Sequence, residues 1–125
     1  MMMTHENVIN NLMVLKDIKE ISGEGSKQRK AELLLEHDNK CLRLMLRVAF
    51  DPFLNTNIRQ LELTDASFTH SDHTFDTLVD IISSVKALTN ELQLEVFNYV
   101  NSFAMLDPLR KILVEVLTKS LSIGM

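Results

Sequence analysis

The sequence predicts an all-α domain of about six helices, and three observations carry that expectation. Apolar residues recur at three- and four-residue spacing through most of the chain, the mark of one buried helix face. No stretch keeps the period-2 alternation of a half-buried strand. Only 3 Gly and 2 Pro occur in 125 residues, too few for a turn-rich β architecture. The length fits a single domain over 1–125, and 46% hydrophobic with 24% charged residues is ordinary globular composition.

The first helix is expected over about 5–21, with Val8, Ile9, Leu12, Leu15, Ile18 and Ile21 inward. Ser22-Gly23-Glu24-Gly25 ends it, since glycine most easily takes the positive φ of a helix C-terminus. Ser26 is placed to cap a second helix over about 27–36, with Ala31, Leu34 and Leu35 inward. After His37-Asp38-Asn39, Asp38 is placed to cap a third helix carrying Leu42, Leu44, Met45, Val48 and Ala49. Asp51-Pro52 stops it, because the residue before proline disfavours helix.

Residues 51–73 are the least regular. Phe53, Leu54, Ile58, Leu61 and Leu63 are expected to anchor a loop or short helical turns, and 64–67 and 70–73 carry turn chemistry. A helix over about 74–88 should bury Phe75, Leu78, Val79, Ile82 and Val85. Thr89 or Asn90 caps the next, about 90–104, with Leu92, Val96, Phe97, Val100 and Phe103 inward. Asp107 then caps the last helix, with Pro108 at its first position, where the missing N–H costs nothing. Leu109, Ile112, Leu113, Val116 and Leu117 line that helix, which should fray near Leu121. Phe53, Phe97, Phe103 and the scattered methionines read as core.

With 13 Lys and Arg against 17 Asp and Glu, the net charge is −4 and the pI near 5.5, which counts against a generic nucleic-acid or membrane-surface binder. The charge is polarised, however. Between 27 and 47, Lys27, Arg29, Lys30, Lys40, Arg43 and Arg47 face Glu32, Glu36 and Asp38, giving +3; between 59 and 95, two basic and seven acidic residues give −5. The start of the second helix, at Ser26-Lys27-Gln28, offers free N–H groups and a positive dipole end to a phosphate.

The lone Cys41 excludes an intrachain disulfide and reads as a buried structural thiol. The N-terminus lacks the parts of a secretory signal, and no apolar run approaches the roughly 20 residues that span a bilayer. A cytoplasmic protein without a membrane partner is expected. His37 with Cys41, and His70 with His73, supply only pairs where a zinc site needs three or four ligands. Gly23-Glu24-Gly25-Ser26-Lys27 lacks P-loop spacing. No catalytic residue, metal or cofactor is expected.

Three patches carry a resemblance. The run Ile18-Lys19-Glu20-Ile21-Ser22-Gly23-Glu24-Gly25-Ser26-Lys27-Gln28-Arg29-Lys30-Ala31-Glu32-Leu33-Leu34, then Leu44-Met45-Leu46-Arg47-Val48-Ala49-Phe50-Asp51-Pro52-Phe53-Leu54, and finally Leu117-Thr118-Lys119-Ser120-Leu121-Ser122-Ile123-Gly124-Met125 stand in order along the chain. Together they resemble the N-terminal all-α DNA-binding domain of ATP-dependent DNA ligases of T-even-type phages, with its "EI…GSxxKxxxL" opening, "ayDPF" helix exit and "L…LrIGl" segment. Residues 55–105 match weakly. The resemblance implies a phage-encoded module of DNA replication and repair that grips duplex or nicked DNA through the sugar–phosphate backbone and performs no chemistry itself. The family's catalytic lysine lies in a K-x-D-G motif that this sequence lacks.

Carried over residue by residue, Gly25, Ser26 and Lys27 match the family's loop-to-helix junction and Lys30 a basic position one turn later. Ser122, Ile123 and Gly124 match its second backbone-contacting segment. The resemblance implies that this segment is truncated at Met125, where the family's second DNA-contacting helix should begin. Two other readings stand beside it. One is a small phage protein with this fold that binds a protein partner, a replication clamp or a host defence factor, through the acidic 59–95 region. A generic bundle without ligase ancestry would place Ser26 and Gly124 far apart.

Overall fold

The core is organised around the last helix. The computed structural model describes residues 3–64 and 71–124. Among them are α1 (His5–Glu20), α2 (Ser26–Glu36), α3 (Lys40–Phe50), α4 (Phe75–Ser83), α5 (Asn90–Asn101) and α6 (Leu109–Leu117), with a 3₁₀ turn at Ala104–Leu106 and no strand. α6 packs against α1, α3 and α5, and α1 also meets α2 and α3. Leu109, Ile112, Leu113, Val116 and Leu117 of α6 are buried against Leu12, Leu15 and Ile18 of α1 and Leu42, Met45 and Val48 of α3. Each such side chain contributes about 1.5–3 kcal/mol on leaving water. Among the described residues no helix is long and apolar enough to cross a membrane.

Helix starts follow local chemistry, with three corrections. Gly25, not Ser26, is the N-cap of α2; it sits at φ 77°, and Ser26 is already helical. The reversal at Gly23-Glu24 drives this, since the Ser26 N–H donates back to the Gly23 carbonyl at 3.2 Å. Asn39, not Asp38, caps α3, accepting from the Leu42 N–H at 2.9 Å. Asp38 instead pairs with Arg43, whose guanidinium holds its carboxyl below the usual range. Pro108 itself occupies the cap of α6, because the Asp107 carboxylate is turned onto Arg110 at 2.9 and 3.1 Å. Thr89 caps α5 through its hydroxyl, as the sequence predicts.

The helix ends are earlier than expected wherever a side chain takes over the last carbonyls. α4 stops at Ser83 rather than near 88. Ser84 Oγ donates to the Ile81 carbonyl at 2.9 Å, and Asn57 Nδ2 donates to those of Ile82 and Val85 at 3.1 and 3.0 Å. α6 stops at Leu117 with Lys119 in the left-handed region, φ 59°. There the Lys119 N–H reaches the Val116 carbonyl and the Ser120 N–H the Glu115 carbonyl, a Schellman closure built without glycine. Lys119 also serves another helix. Its Nζ donates to the Val48 and Asp51 carbonyls, 2.8 and 2.7 Å, at the exit of α3. Burial there lowers the Lys119 ammonium's pKa, against the weaker opposing pull of Asp51.

The inner face of α2 is rotated from the expected one. Leu35 is 78% exposed, while Lys30 is buried with Leu33 and Leu34 packed on the core. α2 packs chiefly on α1, so its inner direction is also set by what else covers it, the chain end at Ile123. Phe53, expected in the core, is 95% exposed in a turn where Asp51 Oδ1 accepts its N–H. Leu63 is exposed as well, Leu54 and Ile58 are buried, and Leu61 is half-buried. Met13 and Met105 are exposed, whereas Met3 and Met45 are core. Of the turn expected at 64–67 only Thr64 is among the described residues; in the one expected at 70–73, where His70 lies outside them, the His73 N–H donates to Ser71 Oγ at 3.2 Å.

Candidate functional site

The chain's last described residues meet α2 at Lys30. The tail 121–124 runs along α2 with Leu121 and Ile123 buried and Ser122 and Gly124 exposed, the alternation of extended chain. Lys30 Nζ donates to the Ile123 carbonyl at 2.6 Å, across 93 positions of sequence. Gly124 follows at φ +70°, and a Cβ there would stand 2.7 Å from the same Nζ. Glycine is favoured at 124 by its backbone conformation, and a Cβ there would also have to displace the Lys30 ammonium.

Lys30 is only 6% exposed. An ammonium carries three donors. Its one protein hydrogen bond among the described residues goes to a neutral carbonyl, and no carboxylate there lies within ion-pair distance. A buried charge without a counter-charge is expensive, and Lys30 meets a single carbonyl among the described residues.

The rest of the α2 start is open. Lys27 is exposed, three residues before Lys30 and so on the same helical face, with no ion pair among the described residues. Gly25 faces open space, and no side chain caps the first-turn amides. Beside the tail lies a hollow of about 390 Å³ lined by Phe50, Leu121, Ser122, Ile123 and Gly124. Phe50 is 49% exposed at the end of α3, just above the carbonyls that Lys119 caps. Sequence reasoning passed over both. Phe50 lies off the apolar stripe of α3, and nothing local marks Lys119 as a cap for a helix far away in sequence.

The remaining basic residues of 27–47 are largely engaged. Arg29 faces Glu32 at 3.5 Å, Arg43 holds Asp38, and Arg47 faces Asp51 at 3.4 Å. Lys27 and Lys40 are left as exposed cations without an ion pair among the described residues.

A second buried cation behaves differently. Arg110 of α6 is 2% exposed. It grips the Asp107 carboxylate with Nε and Nη2 and sends Nη1 to the Asn101 side-chain oxygen at 2.9 Å and to the Thr64 carbonyl. Asn101 in turn donates to the carbonyls of Glu62 and Phe97 and accepts from the Thr64 N–H. The Arg110 guanidinium holds Asp107 below the usual carboxylate range.

Cys41 lines a groove of about 620 Å³ together with Asn7, Asn11, His37 and Asn39. Burial pushes its thiol up to about 11, against a weaker opposing bond to Asn11, so it stays protonated. His37 is the exposed C-cap of α2 and Cys41 lies inside α3, so the pair does not share a helical face. In the acidic half, Asp76 accepts from the Met3 N–H at 3.1 Å and Glu95 faces His73 at 3.4 Å. Comparison with known proteins returns no matching family model, curated protein or solved structure.

Proposed function

We propose that this chain is a non-catalytic module that grips duplex DNA, nicked or intact, through its phosphate backbone, like the N-terminal domain of an ATP-dependent DNA ligase. The observation that carries the reading is Lys30. Among the described residues its buried ammonium has one carbonyl partner and no carboxylate, and it is held against the Ile123–Gly124 backbone. A backbone phosphate supplies the missing counter-charge. Ser122 and Lys27 are exposed and can serve as further donors, and the start of α2, without a side-chain cap, favours negative charge. Phosphate contacts position a protein on DNA without reading its sequence, so affinity should be sequence-independent and salt-sensitive.

Fluorescence anisotropy with labelled intact and nicked duplexes at about 50 mM salt tests this. Wild type should bind both, with affinity falling steeply as salt rises. Lys30→Met should weaken binding at least about tenfold, in line with loss of one buried charge-assisted bond, while the fold is kept. Lys27→Glu should weaken it further and flatten the salt dependence. No binding by wild type at low salt, or full affinity in Lys30→Met, overturns the reading.

A further inference from the structure

We infer that residues 121–124 form a strap over Lys30, closed in the free chain, which must lift before a backbone phosphate reaches the ammonium. The gating rests on the phosphate reading above, and the strap stands on geometry alone. Lys30 is 6% exposed, whereas Lys27, one turn earlier on α2, is open to water. The difference lies in what covers Lys30. Its Nζ donates to the Ile123 carbonyl, and the Gly124 backbone is packed so closely that a Cβ there would stand 2.7 Å from the same nitrogen. A phosphate carried on a duplex cannot reach a group with so little open surface while that chain stays in place.

The strap is firm at its hinge and lightly held beyond it. At the hinge the Ser120 N–H donates to the Glu115 carbonyl at 2.8 Å, and the Thr118 and Ser120 hydroxyls share a hydrogen bond of 2.8 Å. Past Ser120 the chain belongs to no helix, and among the described residues 121–124 make one hydrogen bond, the one to Lys30. Leu121 and Ile123 seat it in the core, while Ser122 and Gly124 face water. One flank borders the open hollow by Phe50 rather than packed core. A segment with few buried contacts and almost no backbone hydrogen bonds opens well before the whole fold does. An ammonium has three donors, so once a phosphate has entered, Lys30 can hold it and the Ile123 carbonyl together, and the strap closes again over the complex. Opening thus sets how fast a duplex enters, and reclosure how slowly it leaves.

Pulse acetylation of the full chain with an amine-reactive ester, read lysine by lysine by peptide mass spectrometry, tests the strap without DNA. Lys30 should be labelled at least about tenfold more slowly than the exposed Lys27 and Lys40, and its rate should respond to urea far less steeply than global unfolding does, because local opening exposes little surface. Ile123→Ala should bring Lys30 to about the rate of Lys27, since a truncated side chain no longer seats the strap. Should that variant fail to fold, Gly124→Ala, which crowds the ammonium from an exposed position, is read the same way. Stopped-flow anisotropy with an intact duplex at low salt tests the gate. Association should be about threefold or more faster in Ile123→Ala, and dissociation faster still. Labelling of Lys30 as fast as Lys27 in wild type, labelling only through global unfolding, or no response to Ile123→Ala overturns the strap. Labelling as expected with unchanged duplex rates overturns the gate. No duplex binding by wild type overturns the phosphate reading and the gate with it, while the labelling rates still decide the strap.

Discussion

Lys30 and Arg110 are both buried cations that tie a loop segment to a helix, yet they are satisfied to opposite degrees. Arg110 has a bidentate carboxylate, a side-chain amide and a carbonyl around it, and its partners are bonded in turn. Lys30 has one carbonyl among the described residues. A charge taken out of water is tolerated when its hydrogen bonds are completed and carries a standing cost when they are not. Arg110 is thus a structural node that fixes 62–64 between α5 and α6. Lys30 keeps donor capacity that no described residue takes up, at the place where the α2 helix meets the chain's last described residues.

The contrast is broken most directly by removing each cation. Arg110→Met should cost about 3 kcal/mol in chemical denaturation, because Asn101 and the 62–64 segment lose their common partner inside the protein. Lys30→Met should change stability by less than about 1 kcal/mol in either direction, since the lost carbonyl bond is offset by the lost burial penalty. Equal costs at the two positions would erase the distinction. Gly124→Ala sharpens it. A Cβ 2.7 Å from the Lys30 Nζ, at φ +70°, must push the ammonium off the Ile123 carbonyl or move the tail. The strain is about 1–2 kcal/mol, and the variant should lose duplex affinity in anisotropy by more than it loses melting temperature. The smallest effect is expected at Leu35, whose truncation to Ala should stay within about 0.5 kcal/mol in denaturation, as for other exposed positions. A core leucine would cost about 2–5 kcal/mol instead.

The same corner shows what the sequence carried and what it did not. Helices α1, α3 and α6 were legible because their stripes are continuous and their partners lie on both sides, so periodicity and burial agree. In α2 the stripe is short and ambiguous, and reading Leu34 with Leu35 put the inner face about one residue, roughly 100°, from where Lys30 and Leu33 place it. A lysine counts as solvated in any such reading. What buries Lys30 is a tail 93 positions away that belongs to no regular element. The sequence patches quoted above include both Lys30 and Ile123 but give no sign of their contact. Gly25 and Gly124 were visible as glycines at positive φ, whereas Asn57 and Lys119 take the same conformation without that signature. Phe53 was misread because aromatic content suggests core. Its place is the tip of the turn that Asp51 closes.

The closure at Lys119 has a consequence for how the molecule opens. Helix termini ordinarily fray independently, each at the cost of its own last hydrogen bonds. Here one residue supplies the backbone reversal that ends α6 and the ammonium that holds the exit of α3. Loosening 116–120 releases 48–51 at the same moment, so the two ends form one cooperative opening unit. Phe50 and the tail both belong to it, and anything that clamps the tail from outside also stiffens the last turn of α3.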